Sequence, residues 1–156
     1  MSGQTATDRF ANTIFTVLDE TFEHVHGIYL DRGTSLFETL DTLTAETASR
    51  PVSASCASIA GQVEHVRFYL QVLHDYMQHK ALDDIDWQAS WHLKTVTPAE
   101  WEALKQQLRA TYQSVLVLMK SFDSWDSDNE MGGALAIAVH TAYHLGEIRQ
   151  ALCVVT

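Results

Sequence analysis

Apolar residues along this chain recur at steps of three and four, with no strand-like alternation anywhere. Phe10, Ile14, Val17, Thr21, Val25 and Ile28 form the first such stripe, broadened by Leu18, Phe22 and Tyr29, and predict a helix over 6–29. Asp31-Arg32-Gly33 breaks it. Ser35, with Glu38 three residues on, has the form of a capping box and opens a short helical connector that ends near Leu43. Arg50-Pro51 resets the chain. Ile59, Val63, Val66, Leu70, Leu73 and Met77 then predict a second long helix over 53–78, with Gln62, His65, Tyr69, Val72 and Tyr76 along the edge of its stripe.

Residues 80–97 form the longest irregular stretch and contain Trp87 and Trp91. Two tryptophans in an acidic loop predict a segment that packs as a flap over the helices, because each indole gains a few kcal/mol, roughly, by leaving water. Thr97-Pro98-Ala99-Glu100 is a strong helix start, with Thr at the N-cap, Pro at N1 and Glu at N3. The third long helix runs to 122, a polar turn spans 123–129, and a fourth helix covers 130–152. The expected fold is all-α: a four-helix bundle with a long connection after the first helix. The length suits a single domain over 1–156.

Charge narrows the partners. The formal net charge is −10, which repels phosphate backbones and anionic lipid and disfavours nucleic-acid binding. No apolar run reaches the roughly 18 residues of a membrane span. The opening Met1–Asp8 has no basic and then apolar signal pattern. Cys56 and Cys153 form no CxxC, and a reducing cytoplasm is the expected setting. Cys56 is expected at the start of the second helix as a small buried residue. A homodimer is expected if the first or third long helix keeps an apolar face uncovered.

The chemistry concentrates near the end of the chain. His140 and His144 stand four residues apart in Ala-Ile-Ala-Val-His-Thr-Ala-Tyr-His-Leu-Gly-Glu-Ile-Arg. That spacing puts both imidazoles on one face of a helix, one turn apart, where they can grip one divalent metal. The segment 133–139 carries no charge, which predicts a buried approach to the pair. His65 on the second long helix is the candidate third ligand. The alternative is a set of core histidines bonded to backbone, hydroxyls or each other. Glu147 shares the face of His140 and His144, and either accepts an N–H from a ligand histidine, acts as a general base, or pairs with an adjacent helix. Gly146 is expected to serve close helix packing.

The other histidines carry weaker signals. His24 and His26 fall near the end of the first helix on different faces, His74 and His79 late in the second, and His92 beside Trp91. Ser90 has no G-x-S-x-G context. Di-iron bundles need two Glu-x-x-His motifs, and neither His140 nor His144 has a carboxylate three residues before it, so a mononuclear site fits better.

The order of elements, with Ser58-Ile-Ala-Gly-Gln-Val-Glu-His65-Val in the second long helix and His140-Thr-Ala-Tyr-His144-Leu-Gly146-Glu147-Ile-Arg149 in the fourth, resembles the DinB/YfiT-like superfamily of metal-dependent helical proteins over about residues 6–153. The resemblance implies a four-helix bundle with an unusual connection order. It also implies a three-histidine site at His65, His140 and His144 for a divalent ion, most often nickel or zinc. It further implies a metal-dependent thiol transferase or isomerase acting with a low-molecular-weight thiol, while the metal chemistry by itself equally allows a hydrolase of a small molecule that uses metal-bound hydroxide. Such proteins often have Gln where this chain has Glu147. The rival expectation is a binding protein with the same site and no turnover. A purely structural bundle with core histidines is the third.

Overall fold

A computed structural model describes residues 5–156, so the leader reading of Met1–Gln4 lies outside the described residues. The described chain is all-helical, with α1 (Ala6–Phe22), α2 (Leu36–Asp41), α3 (Ala45–Ala48), α4 (Ile59–Met77), α5 (Pro98–Lys120) and α6 (Asp128–Val155). The four longer helices share one core: α4 lies along both α5 and α6, and α6 also lies along α1. No helix among the described residues is long and apolar enough to cross a membrane.

Capping residues set the starts. Thr97 accepts from the Glu100 N–H while the Glu100 carboxylate accepts from the Thr97 N–H at 2.7 Å, as the sequence predicts. Ser35 and Glu38 form the expected box before α2. Ser58, not Ser53, caps α4 by accepting from the Gly61 N–H at 3.2 Å. Residues 53–56 are therefore a turn. Cys56 lies outside the helix and is exposed, a correction to the buried helical position expected for it. The connector also contains a second short helix, α3, which the sequence reading merges into a loop.

α1 stops at Phe22, seven residues before the predicted end at Tyr29. The cause is Glu20. Its fully buried carboxylate accepts the N–H groups of His26 and Ile28 on Oε2 and of Tyr29 and Leu30 on Oε1, at 2.7–2.9 Å. Those N–H groups bind the carboxylate instead of continuing the helical ladder, and Gly27 turns the chain at φ +80°. Burial pushes the Glu20 carboxyl up, and the four N–H bonds overcome it and hold the group at about 2.

Two close approaches place the helices that carry the histidines. A Cβ on Gly133 would stand 2.5 Å from Met77 Cγ, so glycine lets α6 approach α4 there. A Cβ on Gly61 would stand 2.7 Å from the Leu93 carbonyl, so glycine also lets the 80–97 segment lie against α4. Gly146 plays no such part: a Cβ there meets nothing within 4 Å, which corrects the expectation of close packing. Exposed apolar side chains sit on α6, at Leu135, Val139, Tyr143 and Val154, and on α5 at Val117. The uncharged 133–139 stretch is thus buried on one side only.

Candidate metal centre

His65 on α4 and His140 and His144 on α6 come together. One ligand nitrogen from each lies within 4.8 Å of the others. His65 and His144 are buried and His140 is partly so. The closest pair is His65 Nε2 and His140 Nε2, at 3.2 Å. Two nitrogens each about 2.0–2.1 Å from a tetrahedral zinc stand roughly 3.3 Å apart, so this edge already has ligand spacing.

The hydrogen-bond network assigns the ring protons. Ser90 Oγ–H donates to the Trp87 carbonyl at 2.8 Å, leaving only lone pairs to face His65 Nδ1 at 2.8 Å. His65 Nδ1 therefore carries the proton, and its Nε2 is a bare lone pair. At His144, Nδ1–H donates to Glu147 Oε2 at 2.9 Å and to Gln62 Oε1 at 3.3 Å. Both acceptors can only accept, so His144 Nε2 is bare as well. A metal-ligating histidine almost always donates its other N–H in this way. His140 differs: its Nδ1 is buried without a partner among the described residues. With His65 Nε2 bare, the 3.2 Å contact needs His140 Nε2–H as donor. His140 must surrender that hydrogen for the three nitrogens to converge on an ion.

Aromatic rings hold two of the imidazoles flat. Trp91 stacks on His65 with centroids 3.9 Å apart, and Tyr69 stacks on His140 at 3.6 Å. Trp87 packs its ring against Phe68 and Tyr69. The tryptophan segment thus covers the histidine cluster, as expected of a flap, although Trp87 itself remains 43% exposed.

His65 and His140 stay neutral well below pH 7, and His144 is shifted in the same direction. Burial, with the His144 ring alongside, holds His65 at about 4. Burial, with His144 and then His65 nearby, holds His140 at about 3. Burial also lowers His144, against the opposing pull of Glu147. Neutral imidazole is the form that binds metal.

Among the described residues Glu147 pairs with no adjacent helix; it accepts from His144 on its own helix. It also lines a cavity of about 540 Å³ with Gln62, Trp91, Cys56 and Val154. The remaining histidines stand apart. His26 binds Asp19 at 2.6 Å, His74 contacts Gln78, His79 lies in the turn after α4 at φ 56°, and His92 is exposed. Gln62 and Tyr69, three before and four after His65, were legible as sharing its face. Ser90 was not, because a loop serine has no periodic signature.

Comparisons with protein-family models, curated proteins and solved structures find no match to this chain. The metal reading therefore stands on the geometry of the three rings and their partners.

Proposed function

We propose that this chain is a metal-dependent enzyme on a DinB-like four-helix bundle, with one divalent ion, nickel or zinc, held by His65, His140 and His144. The observation that carries the reading is the convergence of three neutral imidazoles on one point, two of them with Nδ1–H committed to Ser90 and to Glu147 and Gln62. His65 and His144 thus turn bare Nε2 atoms to the centre, and His140 joins them once its Nε2 hydrogen gives way to the ion.

When bound, the ion would act as a Lewis acid, lowering the pKa of a coordinated water or thiol. The chain's own residues supply the rest. Gln62 and Glu147 fix His144, Trp91 and the 86–92 turn exclude water from the His65 side, and Glu147 is the candidate base because its carboxylate lines the neighbouring cavity. The substrate class is a small molecule, with a low-molecular-weight thiol as co-substrate in a transfer reaction. Nucleic acid and membrane are not partners in this reading, given the −10 charge. Both cysteines are free and exposed, which suits a reducing cytoplasm. A homodimer would draw on the exposed apolar side chains of α5 and α6.

The alternative is a metal- or small-ligand-binding protein without turnover. Zinc- or nickel-loaded protein, mixed with a thiol and chlorodinitrobenzene, separates the two. Thiol consumption that falls at least tenfold in Glu147→Gln supports transfer with Glu147 as base. Metal binding with no turnover, here and on ester substrates, favours the binding protein.

A further inference from the structure

The hydroxyl of Ser90 reaches the histidine cluster from the loop between α4 and α5. It is 1% exposed, donates to the Trp87 carbonyl at 2.8 Å and faces His65 Nδ1 at 2.8 Å. We infer that Ser90 is a positioning residue for the metal centre, fixing His65 in its Nδ1–H tautomer so that Nε2 is held bare toward the site. The inference deepens the metal reading and rests on it for metal affinity, though not for the tautomer itself.

A neutral histidine can carry its proton on either ring nitrogen, and only one choice leaves Nε2 free to ligate. A serine hydroxyl has a single hydrogen. Here it is committed to a backbone carbonyl of the same turn, so the oxygen offers His65 nothing but lone pairs. The opposite arrangement would have Ser90 donate to His65, strip the Trp87 carbonyl of this partner and put the proton on Nε2, where it blocks coordination. Trp91, the next residue, stacks on the same ring at 3.9 Å, so its rotation is restrained while its proton is placed.

The loop does not depend on Ser90 for its docking. Asp86 Oδ1 accepts the N–H groups of Gln88 and Ala89 at 3.0 and 3.2 Å, closing the turn from within. Trp87 packs on Phe68 and Tyr69, and the Leu93 carbonyl lies over Gly61. Removing one hydroxyl leaves these contacts in place. It also leaves His65 Nδ1 facing a methyl group, where an N–H would lose its buried partner.

The test uses two readouts on the full chain. Long-range ¹⁵N–¹H spectra of the histidine rings, recorded on metal-free protein at pH 7, report the His65 tautomer. Titration with Co²⁺, followed by its visible d–d bands, reports affinity. The unaltered protein should show Nδ1–H at His65. Ser90→Ala should shift it toward Nε2–H and weaken Co²⁺ about 10- to 100-fold, the usual cost of losing such a partner. Ser90→Thr, which keeps the hydroxyl, should restore the Nδ1–H signature. Nε2–H at His65 in the unaltered protein overturns the inference whatever the variants do. So does a Ser90→Ala protein that keeps Nδ1–H, or one that binds Co²⁺ within twofold of the unaltered chain. If the unaltered protein binds no Co²⁺ yet shows the tautomer switch, the metal reading fails and the role in placing the proton stands.

Discussion

Stripping metal from this protein and lowering the pH from 7 to 5 should cost it about 3–4 kcal/mol from two histidines alone. In the unfolded chain both titrate near 6.5, whereas in the fold His65 is held at about 4 and His140 at about 3. As the pH falls below 6.5 the unfolded state takes up a proton at each site and the folded state does not. Stability therefore drops by about 1.4 kcal/mol per pH unit per histidine, until the folded groups titrate in turn. From pH 7 to 5 that amounts to nearly 2 kcal/mol each, against a total stability of about 5–15 kcal/mol for an ordinary domain. The lowered value of His144 acts in the same direction. The assay is urea unfolding followed by circular dichroism at pH 7, 6 and 5 in excess chelator, on the unaltered chain and on a His65→Gln, His140→Gln double variant. The variant has lost both groups and should show a much flatter dependence. A change below about 1 kcal/mol in the unaltered chain, or equal slopes in the two proteins, would refute the reasoning.

Other perturbations probe the frame around the site. Glu20→Gln puts an amide N–H₂ where two backbone N–H groups need an acceptor and removes a buried charge they share, and should cost about 3–5 kcal/mol in thermal or urea unfolding. A loss under about 1 kcal/mol would show that the 23–35 loop is held by other contacts. Because the folded Glu20 carboxyl lies at about 2 against 4.5 in the unfolded chain, its contribution is present above 4.5 and fades as the pH falls toward 2. The two glycines should respond in opposite directions. Gly146→Ala meets open space on a helix and should stabilise by up to about 1 kcal/mol. Gly61→Ala drives a methyl group into the Leu93 carbonyl and should lower both the melting temperature and the affinity for Co²⁺. Equal melting shifts for the two would contradict the packing described for α4.

The sequence carried the long helices because burial against a common core imposes a three-and-four repeat that survives in the residue types. It also carried Thr97 and Ser35, whose capping chemistry is local. The end of α1 was hidden because the stripe continues through Val25 and Ile28, while the chain is stopped by a tertiary event, four N–H groups collecting on Glu20. The start of α4 slipped because Ser53 and Ser58 are equally good caps in isolation, and which one serves depends on the turn that pairs Pro51 with Ser58. His140 and His144 were legible from spacing. That His65 meets them depends on how α4 and α6 approach, with Gly133 against Met77 as one contact point. Ser90 shows the limit most clearly, since its role comes from where a loop folds back and not from any pattern in its neighbours.

The most direct measurement is the metal content of tag-free protein purified with nickel and zinc supplied, set beside the same measurement on His140→Ala. Three neutral imidazoles converging on one point predict one divalent ion per chain in the unaltered protein and loss of most of it in the variant. A stoichiometry near zero in the unaltered chain, or the same content in both proteins, would contradict the account.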